Sequence, residues 1–385
     1  MSTIKDLIKK TELGKRLRVS NRIRKARREL FTSSEITELE KDASKIHSAV
    51  FAKLAELPDS GQGKLAEMDL IIQKSPLAQI ADLDVEALKD DMLFWHYAYG
   101  FSFNEYVSYH FFNRSREERL TFMSDRDIAC LCYAVNDPED MRIVFDKSLT
   151  YERFSGYYGR DAITISKESD FNAFKTFIST HERFVKKNTL QSCGRSVELI
   201  DLNETTVSDR ELFESFVSQG KTILEEVVVQ SELLASFNPS SVNTVRCITV
   251  NTKDRVVAPF FFMKTGRAGS FVDNGAAGGL LVAVDGEIGV LGDATDEFGN
   301  RFETHPDSGV EFRGFQLPDW NSLGEMCCEI SSGIPKVRII GWDLAHTDKG
   351  WIVIEGNSMT EVIGPQSTQL SGIREKVDEL RAVIA

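Results

Sequence analysis

Residues 338–357 read RIIGWDLAHTDKGWIVIEGN, and the reading of the whole chain starts here. Two apolar-alternating halves, RIIGWDLA and WIVIEGN, flank a polar segment, 346–350, with Asp-Lys-Gly turn chemistry. The pattern predicts a β-hairpin. Glu355 and Asn357 are two apart, so a strand points both to one face, and a paired hairpin sets Asp343 opposite them. Two carboxylates and an amide oxygen converging on one point make a hard-oxygen site suited to Mg²⁺. The competing reading is a hairpin that carries solvated acids on its outer face.

The bulk numbers bound what surrounds the hairpin. A chain of 385 residues predicts two or three structural units. Hydrophobic content of 42% with 27% charged residues is that of an ordinary globular protein. No apolar run reaches membrane-span length, and MSTIKDLIKK lacks the apolar core of a secretory signal. The six cysteines form neither a disulfide framework nor paired Cys-x-x-Cys zinc motifs. A cytoplasmic protein with reduced thiols is expected. Residues 1–30 hold eleven Lys/Arg against three Asp/Glu, a balance of +8 that leaves −21 on the remainder of a chain totalling −13. The basic segment reads as a solvated helix or as a contact for anionic lipid, and the acidic bulk argues against a nucleic-acid enzyme.

From Ile4 to about Val135 the periodicity is helical. The stretch that begins at Ser33 opens with a Thr32-x-x-Glu35 capping signal. Residues 58–64, PDSGQGK, read as a loop, and the aromatic-rich 94–112 as packing between helices. Near residue 140 the texture changes to short apolar runs between turn residues: RIVF, AITI, RFVKK, SVELI, TILEEVVVQ, TVRCITV, RVVAPFFF and GLLVAV. Helical stretches fall among them at 170–177 and 209–217. Without regular strand–helix alternation, this is an α+β pattern of antiparallel sheets.

Several stretches could carry chemistry. Lys147 follows RIVF, and Lys187 ends RFVKK ahead of a polar loop at 188–195. A lysine leaving a strand before such a loop can meet a phosphate, with Lys186 on the opposite strand face as the alternative. Glu225 and Glu226 precede an apolar run, and Glu232 follows Glu225 by seven. Such acids could receive an adenosine, or simply be solvated on an edge strand. Arg246 lies inside an apolar alternation and needs a carboxylate or phosphate partner. Residues 264–285 combine Lys264, Arg267, Asp273 and Asn274 with five glycines, a composition that lets backbone amides approach an anion.

Together these residues resemble the ATP-grasp superfamily, and in particular its sugar-transfer-associated branch, which is related to alpha-L-glutamate ligases. The resemblance spans roughly 140–370 and is carried by SSVNTVRC, GSFVDNGAAGGL, HPDSG with LPDW, and GWDLA…IEGN. It implies an ATP-grasp fold: a helical region over 1–135, one lobe over 136–230 and a second over 231–385. Lys147 and Lys187 resemble the lysines that hold ATP phosphates. Glu225, Glu226, Val228 and Glu232 resemble the linker for adenine and ribose, and Asp343, Glu355 and Asn357 match Mg²⁺ ligands. Arg246, Arg267 and Lys264 are the implied cations for the transferred phosphoryl group or substrate carboxylate. One departure stands out. Many ATP-grasp ligases carry an arginine two residues before the first metal acid, and here that position is Gly341, so Arg246 or Arg338 must serve.

The implied reaction is carboxylate activation by ATP to an acylphosphate, which an amine then captures as an amide. No Ser-His-Asp or Cys-His arrangement is evident. The expected partners are small-molecule carboxylate and amine substrates. The family label adds a sugar or lipid-linked glycan acceptor of cell-surface polysaccharide synthesis, met at the inner membrane face through no more than peripheral contact. Homo-oligomers are compatible with the sequence. A kinase that stops at phosphoryl transfer and a non-catalytic nucleotide-binding module are the competing readings.

Overall fold

A computed structural model of the chain describes residues 12–56, 58–190, 197–271, 273 and 278–384. The start of the basic segment, much of the loop after Lys187, and Asn274 with Gly275 lie outside the described residues.

Among the described residues, helices dominate from Glu12 to Phe154. Thr32 caps the helix Ser33–Lys41 with the reciprocal Glu35 contact, as its spacing predicts. That helix is shorter than the sequence pattern, because Asp42 breaks it before a second helix, Ile46–Ala55. Residues 58–64, read above as a loop, begin the helix Pro58–Lys74. Proline at the first helical position suits a helix start, since its missing N–H has no intrahelical partner there. The aromatic segment is packing, as expected: Trp95, Tyr97, Phe101, Tyr106, Tyr109 and Phe111 are buried in one core. RIVF is not a strand but the end of a short helix, Met141–Phe145.

Two antiparallel sheets follow. The first is four-stranded, ordered β1-β4-β2-β3, from β1 (Ala162–Ile165), β2 (Arg183–Asn188), β3 (Val197–Asp201) and β4 (Thr222–Glu226). Helices Phe171–Ile178 and Asp209–Ser218 cover one of its faces, packing Phe174, Phe177, Phe213 and Phe216 against Phe184 and Leu224. Its other face carries Val185, Lys187 and Glu225, since alternate residues take opposite faces.

The second sheet is seven-stranded, ordered β11-β10-β5-β6-β7-β8-β9. Its strands are β5 (Thr244–Asn251), β6 (Val256–Thr265), β7 (Leu280–Val284), β8 (Leu291–Thr295), β9 (Arg301–Phe302), β10 (Ile339–Thr347) and β11 (Gly350–Asn357). β10 and β11 are the expected hairpin, with a bulge after Asp343.

The helical region is sewn to this sheet through buried polar side chains. Asn136 donates to the carbonyls of Ile339 and Ser358 and accepts from the Ile339 amide. Asp125 accepts from the Val362 amide, and Gln366 donates to the Tyr109 hydroxyl and the Met123 carbonyl. The segment after Asn357 is thereby fixed from behind. Among the described residues no helix is long and apolar enough to cross a membrane.

Candidate active site

A cleft of about 740 Å³ opens between the two sheets. Strand alternation decides which side chains reach it. On β2, Val185 and Lys187 face the cleft, while Lys186 points the other way and is bound to Glu198 and Gln219. The alternative lysine therefore faces away from the cleft. Register sets Glu225 of β4 beside Val185, and Leu199 of β3 on the far side of Val185.

The seven-stranded sheet contributes the facing wall. Asp343 pairs in register with Glu355 on one side and Arg246 on the other. Lys264 lies next to Thr244 on β6, and Asn357 pairs with Gly341. Asp343, Glu355 and Asn357 thus share one face, as the spacing predicts. Arg246 grips Asp343 through both Nε and Nη2, the latter at 2.8 Å, and Lys264 Nζ adds a bond of 2.9 Å. Burial by itself would raise the Asp343 carboxyl. The two cations outweigh it and hold Asp343 well below the usual carboxylate range. Arg246 stays protonated for the reciprocal reason, since Asp343 overcomes the cost of burial. Burial raises the Asp273 carboxyl, which accepts from the Thr244 hydroxyl at 2.5 Å.

Lys147 begins a helix, Lys147–Phe154, rather than leaving a strand. Asp146 caps that helix, and Lys221 at the head of β4 reaches Asp146 at 3.2 Å. Lys147 Nζ stands 3.9 Å from Glu355. Lys147 and Lys187 therefore approach the same space from different elements.

The remaining site candidates fall in different places. Glu225 lies on an interior strand, not an edge: it lines the cleft, buried and bonded to Lys187 at 2.9 Å and to Arg160 at 2.7 Å. Burial would raise its carboxyl, but these cations bring it down to about 2. Glu232 is exposed at the start of the helix Glu232–Ala235 and is absent from the cleft wall, because the chain turns away after Ser231, whose amide bonds the His346 carbonyl. Arg267 also lies off the cleft, making a two-bond pair with Asp307 at 2.7 and 2.9 Å. Of Arg246 and Arg338, Arg246 lines the cleft. Glu226, Val227 and Val228 of the linker reading border the cleft, and so does Gln230.

Arg160 was missed. It is buried under β11, and its partners lie 65 and about 190 residues away, so no local pattern exposes it. The only signal was an arginine two residues before AITI, in GYYGRD.

Two antiparallel sheets gripping a cation-lined cleft, behind a helical region, make this an ATP-grasp fold. The chain belongs to the sugar-transfer associated ATP-grasp family, whose model matches residues 129–382. No curated protein matches it. Solved structures similar to it include the ATP-grasp ligase PsnB complexed with precursor peptide PsnA2 and AMPPNP, at 11% identity and TM-score 0.39, covering 68% of this chain and 66% of that one. The D-alanine-D-alanine ligase from Coxiella burnetii is 9% identical with TM-score 0.37, covering 65% and 59%. The N5-carboxyaminoimidazole ribonucleotide synthetase from Thermotoga maritima is 11% identical with TM-score 0.35, covering 62% and 49%. The chain spans just under two thirds of PsnB and less of the other two.

Proposed function

We propose that the protein is an ATP-dependent carboxylate–amine ligase. The observation that carries this reading is the convergence in one cleft of Lys147, Lys187, Arg246 and Lys264 with Asp343, Glu355 and Asn357. In this reading residues 136–230 and 231–385 are the two lobes, and the helical region 1–135 supports the second. Val227 and Val228 border the adenine, with Val185 and Leu199 as apolar walls. Lys147 and Lys187 hold the phosphates as point charges.

The oxygen-only donor set of Asp343, Glu355 and Asn357, without His or Cys, fits Mg²⁺. When bound there, the ion supplies charge neutralisation at the phosphates. Arg246 and Lys264 stand where charge would grow on the transferred phosphoryl group, and the catalytic work is positioning and electrostatics. The substrate carboxylate oxygen attacks the γ-phosphorus, a P–O bond forms, and the bond to ADP breaks. An amine nitrogen then attacks the acyl carbon, phosphate leaves, and the nitrogen loses a proton to give the amide.

From the family label we further propose an amino-acid donor and a sugar or glycan-precursor acceptor in cell-surface polysaccharide synthesis. Contact with the inner membrane face would run through the basic first 30 residues. The test is release of ADP and free phosphate from ATP with Mg²⁺, across pools of amino acids and amino sugars. The control is Asp343→Asn/Glu355→Gln. Both products appearing only with one acid–amine pair, and vanishing in the control, are the expected result. ADP without free phosphate would replace the ligase with a kinase. Nucleotide binding with no turnover on any pool, lipid-linked acceptors included, would leave a non-catalytic module.

A further inference from the structure

The turn before β1 contains a residue that reaches both sheets. Gly159 has φ +58°, and a Cβ there would collide with the Ile352 side chain, so the backbone passes close beneath β11. Arg160 follows, its side chain 3% exposed, with its guanidinium 4.7 Å from the Tyr158 ring centre. A guanidinium has five N–H donors, and here five bonds occupy them. Nε and one N–H of Nη2 donate to Glu225 at 2.9 and 2.7 Å. Nη1 donates to the carbonyls of Tyr158 at 3.1 Å and Val353 at 2.6 Å, and Nη2 also to that of Ile354 at 3.3 Å. Arg160 borders the cleft yet has no donor left for a ligand.

Its partners are what matter. Glu225 belongs to the four-stranded sheet, and the same Glu225 oxygen accepts from Lys187 at 2.9 Å. Val353 and Ile354 belong to β11, where the next residue is Glu355. One side chain therefore joins the lysine of one wall to the carboxylates of the other. We propose that Arg160 is a positioning residue that sets the two sheets in register, holding the Lys187 ammonium at a fixed place opposite Asp343 and Glu355. This rests on the nucleotide-binding reading of the cleft. Stability is a poor reason for such an arrangement, because buried ion pairs are often replaceable by apolar residues without loss. Alignment is a better one, since a displacement of about 1 Å in a reacting assembly can cost about 10²-fold.

The test compares ADP and adenosine binding with Mg²⁺ by calorimetry, in wild type, Arg160→Lys and Arg160→Met/Glu225→Met. The double variant leaves the charge of the cleft unchanged and replaces an ion pair by apolar side chains, and a melting curve checks that each variant folds. ADP affinity is expected to fall about 10–100-fold, by analogy with residues that orient metal ligands, while adenosine binding is retained. Unchanged ADP affinity in the folded double variant would overturn the proposal. So would a parallel loss of adenosine, which marks general damage. A wild type that binds neither ligand would overturn the nucleotide reading itself, and the proposal with it.

Discussion

Arg246 occupies the space above Gly341. A Cβ at Gly341 would lie 2.9 Å from the Arg246 Cδ and would collide with the Thr360 hydroxyl. The glycine that departs from the pattern of many ATP-grasp ligases is thus the opening through which an arginine from the neighbouring strand reaches Asp343. An arginine stands beside Asp343, one strand over.

Filling that opening should move the guanidinium. Gly341→Ala is expected to lower stability by about 1–3 kcal/mol, as overpacking does, and to reduce ADP and phosphate release. Arg246→Ala should abolish release, and adding Gly341→Arg to it should restore part. Steady-state assays of the three variants check this, and a Gly341→Ala enzyme with wild-type turnover would refute the coupling.

Asp343→Asn should harm stability as well as activity. It leaves Arg246 and Lys264 buried without their carboxylate, a loss of about 3–5 kcal/mol by analogy with broken buried pairs. Urea unfolding reads the difference, and an unchanged midpoint would show that the cations find other partners.

Neighbouring lysines should part company. Lys187→Ala is expected to weaken ADP binding roughly 10–100-fold, from about 1.5–3 kcal/mol of charge-assisted bonding. Lys186→Ala, on the opposite face, should leave ADP affinity unchanged. Calorimetry on both variants decides it, and equal losses would mean that the strand face is misassigned.

Glu105 predicts a pH dependence. Its carboxyl is buried, and burial pushes it up to about 7 despite bonds from the Ser102 and Asp125 amides. A raised carboxyl favours the protonated folded state, so its contribution is complete below the unfolded value of about 4.5. That contribution is lost as pH rises toward about 7. Melting temperature should decline across this window, and Glu105→Gln should flatten the decline. A slope that persists in the variant would place its origin elsewhere, with the raised Asp125 carboxyl next in line.

Arg267 offers a contrast. Its clasp to Asp307 ties the strap after β6 to the 305–309 turn, where Asp307 also accepts the Ala268 amide. Arg267→Ala should therefore alter turnover far less than Arg246→Ala in the same assay. An equal loss would return Arg267 to the reaction.

What was legible in the sequence was whatever period and register carry. Alternation gave the β10–β11 hairpin, and a two-residue spacing gave Glu355 and Asn357 a common face. The capping residues at Thr32 and Glu35 announced a helix. RIVF was misread because four apolar residues fit either element, and here the chain turns as a helix. Residues 58–64 were misread because their glycines hid the meaning of a leading proline. Glu232 was placed by counting along an extended linker, and the turn at Ser231 ends that count. Arg160 could not be found, since four of its five bonds are set by tertiary contacts.

The seam formed by Asn136, Asp125 and Gln366 has a practical consequence for anyone trimming this chain to its two sheets. Cutting near residue 140 would remove Asn136 and Asp125 together, orphaning the amide of Ile339 at the start of β10 and the Ser358 carbonyl and Val362 amide just past the end of β11. A fragment made that way would lack the backing of its own carboxylate shelf, and its inactivity would say nothing about the chemistry of the intact protein.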